Sequence, residues 1–124
     1  MEDRDPLTHE VIGAAIEVHK ELGPGLLESV YQVCLEHELK LRGLACKPQE
    51  PLPVVYKGLH LDVDLRMDLF FPERLVVELK AVEKLIPIFD AQLLTYLRLT
   101  RVHTGLLINF GAPVLKDGIR RLVL

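Results

Sequence analysis

The sequence predicts an α/β domain built on a central mixed sheet of four or five strands with helices packed against it. Three observations carry this expectation. Apolar residues recur at helical spacing through residues 8–42 and again through residues 90–100. Between residues 60 and 82 the period shortens to two, the spacing of a strand with one buried face. A short apolar segment, residues 104–110, follows the last helical stretch, as an interior strand reached by a crossover does.

The first helix is expected over residues 8–22, with Thr8 as N-cap and Val11, Ala15, Val18 and Leu22 forming its apolar stripe. Gly23-Pro24-Gly25 stops it and turns the chain. A second helix is expected over residues 26–42, closed by Gly43, with Leu27, Val30, Cys34 and Leu41 on its core face. Pro48, Pro51 and Pro53 punctuate an extended entry to a strand at Val54-Val55-Tyr56, and Lys57-Gly58 offers a turn.

From His60 to Phe71, the residues Leu61, Val63, Leu65, Met67, Leu69 and Phe71 share one strand face, and Asp62, Asp64, Arg66 and Asp68 share the other. Pro72-Glu73-Arg74 closes a hairpin onto a third strand, residues 75–82, in which Val76, Glu78 and Lys80 share a face. Pro87 ends that segment, Asp90 caps a third helix over residues 90–100, and residues 114–124 form a last strand or turn and strand.

The chain of 124 residues reads as one domain, with residues 1–7 as a flexible N-terminus. With 49% apolar and 27% charged residues, it has a globular composition rather than that of a disordered chain. No apolar run approaches the roughly 20 residues that span a bilayer, and the acidic start does not read as a secretory signal. With only Cys34 and Cys46 present, reduced thiols and a cytoplasmic protein are expected, with no membrane partner.

The net charge of −3 exerts no global pull on nucleic acid, but the charge is unevenly spread. Residues 1–43 carry nine acids against four Lys/Arg, whereas Arg98, Arg101, Lys116, Arg120 and Arg121 near the C-terminus face Asp117 alone. Arg120 and Arg121 are therefore candidate phosphate contacts, set against the reading of an ordinary solvated surface.

The chemistry concentrates on the strand hairpin. Glu78 and Lys80 lie two apart, and the hairpin can bring Asp68 opposite them on the same sheet face. Spacing alone leaves two readings: an exposed ion pair, or two carboxylates and an ammonium around a divalent ion. The flanking Val76-Val77 and Leu79 make the strand too apolar for a wet edge, and buried charge is costly unless paired or bound to metal. Oxygen ligands suit Mg²⁺ or Mn²⁺ rather than zinc, and a lysine beside the ion can hold an attacking water.

Asp68 followed by Glu78-Leu79-Lys80 resembles the PD-(D/E)XK nuclease signature, with Met67 where a proline often stands. Gly25-Leu26-Leu27-Glu28-Ser29-Val30-Tyr31 resembles the motif of the GxxExxY branch of that superfamily. Leu22-Gly23-Pro24-Gly25, residues 91–97 and residues 105–110 are similar to further blocks of the same branch, and the likeness extends over about residues 7–124.

The resemblance implies a restriction-endonuclease-like core and a Mg²⁺- or Mn²⁺-dependent nuclease. Its metal ligands would be Asp68, Glu78 and Glu28, with the Leu79 carbonyl as a further oxygen. Lys80 would position the water, and the products would be a 5′-phosphate and a 3′-hydroxyl. Gln92 and Tyr96, i and i+4 on one helix face, would look at the site and touch substrate. Tyr31 would orient Glu28, and His19 reads as a satisfied core residue or a distant support. Where the branch often carries a histidine before its Ala-Gln pair, this chain has Phe89.

DNA is the implied partner ahead of RNA, and a homodimer or another partner would add the surface that so short a chain lacks for target selection. Two further readings stand beside the nuclease: a non-catalytic binding module on the same scaffold, and a nucleotide or phosphate hydrolase using the same site.

Overall fold

The computed structural model describes residues 5–124. In chain order it contains α1 (Pro6–Leu22), α2 (Glu28–Leu41), β1 (Lys47–Pro51), β2 (Val54–Tyr56), β3 (Leu59–Leu61), β4 (Arg66–Phe71), β5 (Leu75–Lys80), α3 (Pro87–Thr100), β6 (Thr104–Asn109) and β7 (Ile119–Val123). A single 3₁₀ turn, Leu115–Gly118, leads into β7.

Helix α1 begins two residues earlier than its apolar pattern suggests. Asp5 accepts the Leu7 N–H and the Thr8 hydroxyl, and Pro6, which has no N–H to leave unpaired, occupies the first turn. Thr8 is thus a buried helical residue and not the cap. Of the expected flexible N-terminus, Pro6 and Leu7 belong to this helix, while residues 1–4 lie outside the described residues. Gly23 ends the helix at φ 72°, a conformation that suits glycine.

Five strands form one sheet in the order β1-β4-β5-β6-β7. The pairs β1–β4, β4–β5 and β6–β7 are antiparallel, and β5–β6 is parallel. A parallel pair needs a crossover, and α3 supplies it. The helices lie in two layers. Val11, Ala15 and Val18 of α1 and Tyr31, Leu35 and Leu39 of α2 pack with Leu69, Val77, Leu79 and Ile108 on one sheet face. Leu93, Tyr96 and Leu97 of α3 pack with Val76 and Leu107 on the other.

Several details depart from the sequence expectation. Of the residues expected to line the core from α2, only Cys34 packs against it, half-buried: Leu27 is 74% exposed, Leu41 is 69% exposed, and Val30 is exposed. The buried face is Tyr31, Gln32, Leu35 and Leu39. Its rotation is set by Tyr31, whose ring stacks on Phe110 at 4.5 Å, a partner that sequence periodicity cannot show.

The expected single strand over residues 60–71 is two strands. β2 and β3 form a separate two-stranded hairpin around Lys57-Gly58, and the proline-rich entry is the edge strand β1. Prolines are tolerated at an edge because the missing N–H faces away from a partner strand. Met67 packs on the α3 side of the sheet, whereas Leu69 and Phe71 pack on the α1–α2 side, so the alternation shifts phase at Asp68. Pro87 opens α3 instead of ending the preceding segment, and Ile86, not Asp90, is the N-cap. No described helix is long and apolar enough to cross a membrane.

The turn between α1 and α2 is tied by Tyr31, whose hydroxyl donates to the Gly23 carbonyl and accepts the Leu26 N–H. Tyr31→Phe keeps the stacked ring but strands both backbone groups. It is expected to cost about 1–3 kcal/mol in urea-melt stability, with the far-UV spectrum unchanged.

Candidate active site

The site forms where β4 and β5 part. Their ladder runs from Phe71↔Leu75 to Leu69↔Val77 and stops there. One step further, two side chains replace the missing backbone partners. Glu78 Oε2 accepts the Asp68 N–H at 2.9 Å, and Asp68 Oδ2 accepts the Leu79 N–H at 2.7 Å. The two carboxylates thus face each other across the end of the ladder.

Leu79 contributes a backbone oxygen to the same gap. The Lys80 carbonyl accepts the Phe110 N–H on the β6 side. Successive strand residues direct their N–H and C=O groups to opposite sides, so those of Leu79 point toward β4.

Polar residues from neighbouring elements hold this arrangement. Gln49 Nε2 donates to Asp68 Oδ1 at 3.1 Å, and Gln32 Nε2 donates to the Asp68 carbonyl at 2.8 Å and to Glu36 Oε2 at 2.9 Å. Sequence reasoning missed both glutamines. Gln32 lies four residues after Glu28, so helix spacing was a usable signal. Gln49 gave no such signal, because it reaches Asp68 from the edge strand with φ at 49°.

Glu78 is 5% exposed. Burial first, and the charge of Asp68 second, push its carboxyl up to about 8. Glu28, in the first turn of α2, is also raised, by partial desolvation, then by Asp68, and is eased by Lys80. Tyr96 of α3 is raised by burial and then by Glu78, so its hydroxyl senses the carboxylates from the opposite layer. Gln92 donates to that hydroxyl at 3.1 Å from an exposed position. Lys80 is half-buried, with its ammonium 4.5 Å from the centroid of the Phe89 ring.

The structure therefore gathers Asp68, Glu78, Lys80 and Tyr96, with Glu28 and Gln92 at the margin. Glu28 and Asp68 line an open cleft of about 440 Å³ beside Gln32 and Gln49. Arg120 and Arg121 stand elsewhere. They lie on β7, two strands from β5, where Arg120 bonds Asp90 near the start of α3. Arg121 pairs with Leu106 of the α1–α2 face and so turns away from the site. His19 is a core residue, its Nε2 2.8 Å from the Ala112 carbonyl.

Among the described residues, no three acidic, histidine or cysteine side chains come together closely enough to hold a metal ion. Direct ligation by Glu28 is thus not prearranged, since it approaches from the α2 layer beside the sheet. The remaining donor set fits a hard divalent cation. Asp68, Glu78 and the Leu79 carbonyl offer oxygen alone, and two carboxyls crowded in a poorly solvated gap gain from a cation between them.

A family model of the PD-(D/E)XK nuclease superfamily matches residues 5–122. No curated protein and no solved structure matches the chain.

The raised carboxyl has a consequence for stability. The folded protein holds the Glu78 proton more tightly than the unfolded chain does. The resulting stabilisation is complete below the ordinary value of 4.5 and is lost as pH rises to about 8. Without divalent ions, the protein is expected to lose about a few kcal/mol over this range. Thermal melts of Glu78→Gln should show most of that slope removed, and an unchanged slope would contradict the assignment.

Proposed function

The chain belongs to the PD-(D/E)XK nuclease superfamily, and from that membership and the site geometry we propose that it is a divalent-metal-dependent phosphodiesterase acting on nucleic acid, DNA ahead of RNA. Nucleases of this superfamily generally use divalent metals. The observation that carries the reading is the pair of facing carboxylates, Asp68 and Glu78, at the open end of the β4–β5 ladder, with Lys80 on the same strand face.

Asp68, Glu78 and the Leu79 carbonyl are the proposed ligands of Mg²⁺ or Mn²⁺. When bound, such an ion supplies charge to the phosphate and acidity to water. The chain's own groups do the rest. Asp68 and Glu78 would hold such an ion through carboxylate oxygens, the same groups that accept the Leu79 and Asp68 N–H bonds here. Lys80 presents a cation that orients the attacking water against the phosphorus. A new P–O bond forms as the bond to the leaving sugar oxygen breaks, the water giving a proton to solvent and the leaving oxygen taking one up from it.

Gln92 and Tyr96 offer an amide and a hydroxyl at the rim, where a phosphate or a base can be held. Glu28 supports the site from the α2 side, through water. From the edge strand β7, Arg120 on the α3 face and Arg121 on the other act at a distance, on the backbone of a substrate longer than one nucleotide that passes along that edge.

Calorimetric Mn²⁺ titration, run beside cleavage assays on single- and double-stranded DNA and RNA and on mononucleotides, tests this reading. Cleavage of polymer supports it. Cleavage of mononucleotides alone replaces it with a phosphate hydrolase, and metal and nucleic-acid binding without cleavage replaces it with a binding module. Asp68→Ala and Glu78→Ala are expected to lose Mn²⁺ affinity and cleavage together. Lys80→Ala should keep Mn²⁺ affinity while cleavage falls about 100-fold or more.

The distant arginines have a separate signature. Replacing Arg120 and Arg121 together by alanine should lower the steepness of binding against salt by about one to two phosphate contacts, without changing Mn²⁺ affinity.

A further inference from the structure

We propose that Phe89 is the positioning residue for Lys80, holding its ammonium over the ring face so that the amine stays directed at substrate. The proposal rests on the phosphodiesterase reading above.

Lys80 ends β5 within electrostatic reach of both Glu28 and Glu78. An ammonium on a flexible four-carbon stem would ordinarily settle on such a carboxylate. Among the described residues, however, no hydrogen bond or ion pair is made by the Lys80 ammonium. It rests instead over Phe89, 4.5 Å from the ring centroid.

The ring is well anchored. Phe89 lies in the first turn of α3, where Pro87 fixes the helix start and the Phe89 N–H bonds the Ile86 carbonyl at 3.0 Å. Its side chain packs against the apolar cluster that includes Leu93 and Val76.

The choice of an aromatic ring has a chemical consequence. Its negative face attracts the cation. It accepts no proton and carries no net charge, so the ammonium is held in place without being neutralised. A carboxylate in the same place would form an ion pair and occupy the donors needed for water or phosphate. The attraction amounts to a bias of severalfold to about thirtyfold in where the ammonium sits.

Two readouts test this. In proton spectra of the wild-type protein, the Lys80 ε-methylene signals should be displaced upfield by the ring. The displacement should vanish in Phe89→Leu and Phe89→Met and persist in Phe89→Tyr. In cleavage assays, Phe89→Leu should be about tenfold slower with Mn²⁺ affinity unchanged, and Phe89→Tyr should recover the rate.

In a Lys80→Ala background, Phe89→Leu should cost nothing further. A ring that merely supports the fold would slow both backgrounds by the same factor, and that result overturns the proposal. Undisplaced Lys80 signals in the wild-type protein overturn it as well. If the wild-type protein cuts no nucleic acid, the phosphodiesterase reading fails on that result, and the proton spectra alone decide where the ring holds the lysine.

Discussion

Beyond the Leu69–Val77 pair, β4 and β5 no longer bond to each other through their backbones, and two side chains stand in. An unpaired N–H in a buried place costs about 1–3 kcal/mol, so the gap needs acceptors. Asp68 and Glu78 provide them, each capping the neighbouring strand. The same gap turns the Leu79 carbonyl toward β4 and brings two acids face to face. Structural need and chemical capacity therefore coincide in one pair of residues.

The surrounding elements keep that gap in shape. Gln32 and Gln49 approach Asp68 from a helix and an edge strand and leave little freedom to its backbone and carboxylate. Tyr31 ties the turn from which Glu28 emerges. On the far side, the Asn109 carboxamide bonds both the N–H and the carbonyl of Val82, each at 2.9 Å, and fixes the exit of β5. There the chain packs so closely that a Cβ on Gly111 would fall 2.2 Å from the Val82 carbonyl oxygen. The β5–α3 connection thus leaves the sheet on a set course, which brings the start of α3 and Phe89 over Lys80.

Much of this was legible in the sequence because it is local. Period two through an apolar strand places Glu78 and Lys80 on one face, and a short turn brings Asp68 back beside them. The mixed sheet flanked by helices likewise followed from the change of period and the crossover helix. What stayed hidden depends on distant partners. The face that α2 buries is chosen by the stacking of Tyr31 on Phe110, not by the leucines and valines that suggest a stripe. The phase shift at Asp68 arises where the ladder ends, and alternating residues on either side give no sign of it. Arg120 and Arg121 point to opposite faces of β7, which strand alternation within the expected last strand already implies.

Substituting carboxylates for ladder bonds also bears on how such a site persists over generations. Apolar β-branched residues at 68 and 78 would remove two crowded acids from a poorly solvated place and let the two strands zip further. The fold would escape the loss of two acceptors only if that closure paired the Asp68 and Leu79 N–H groups with backbone oxygens. Where the strands closed in that way, selection for folding alone would not keep the two acids, and lineages freed from their chemistry could drift toward a closed sheet.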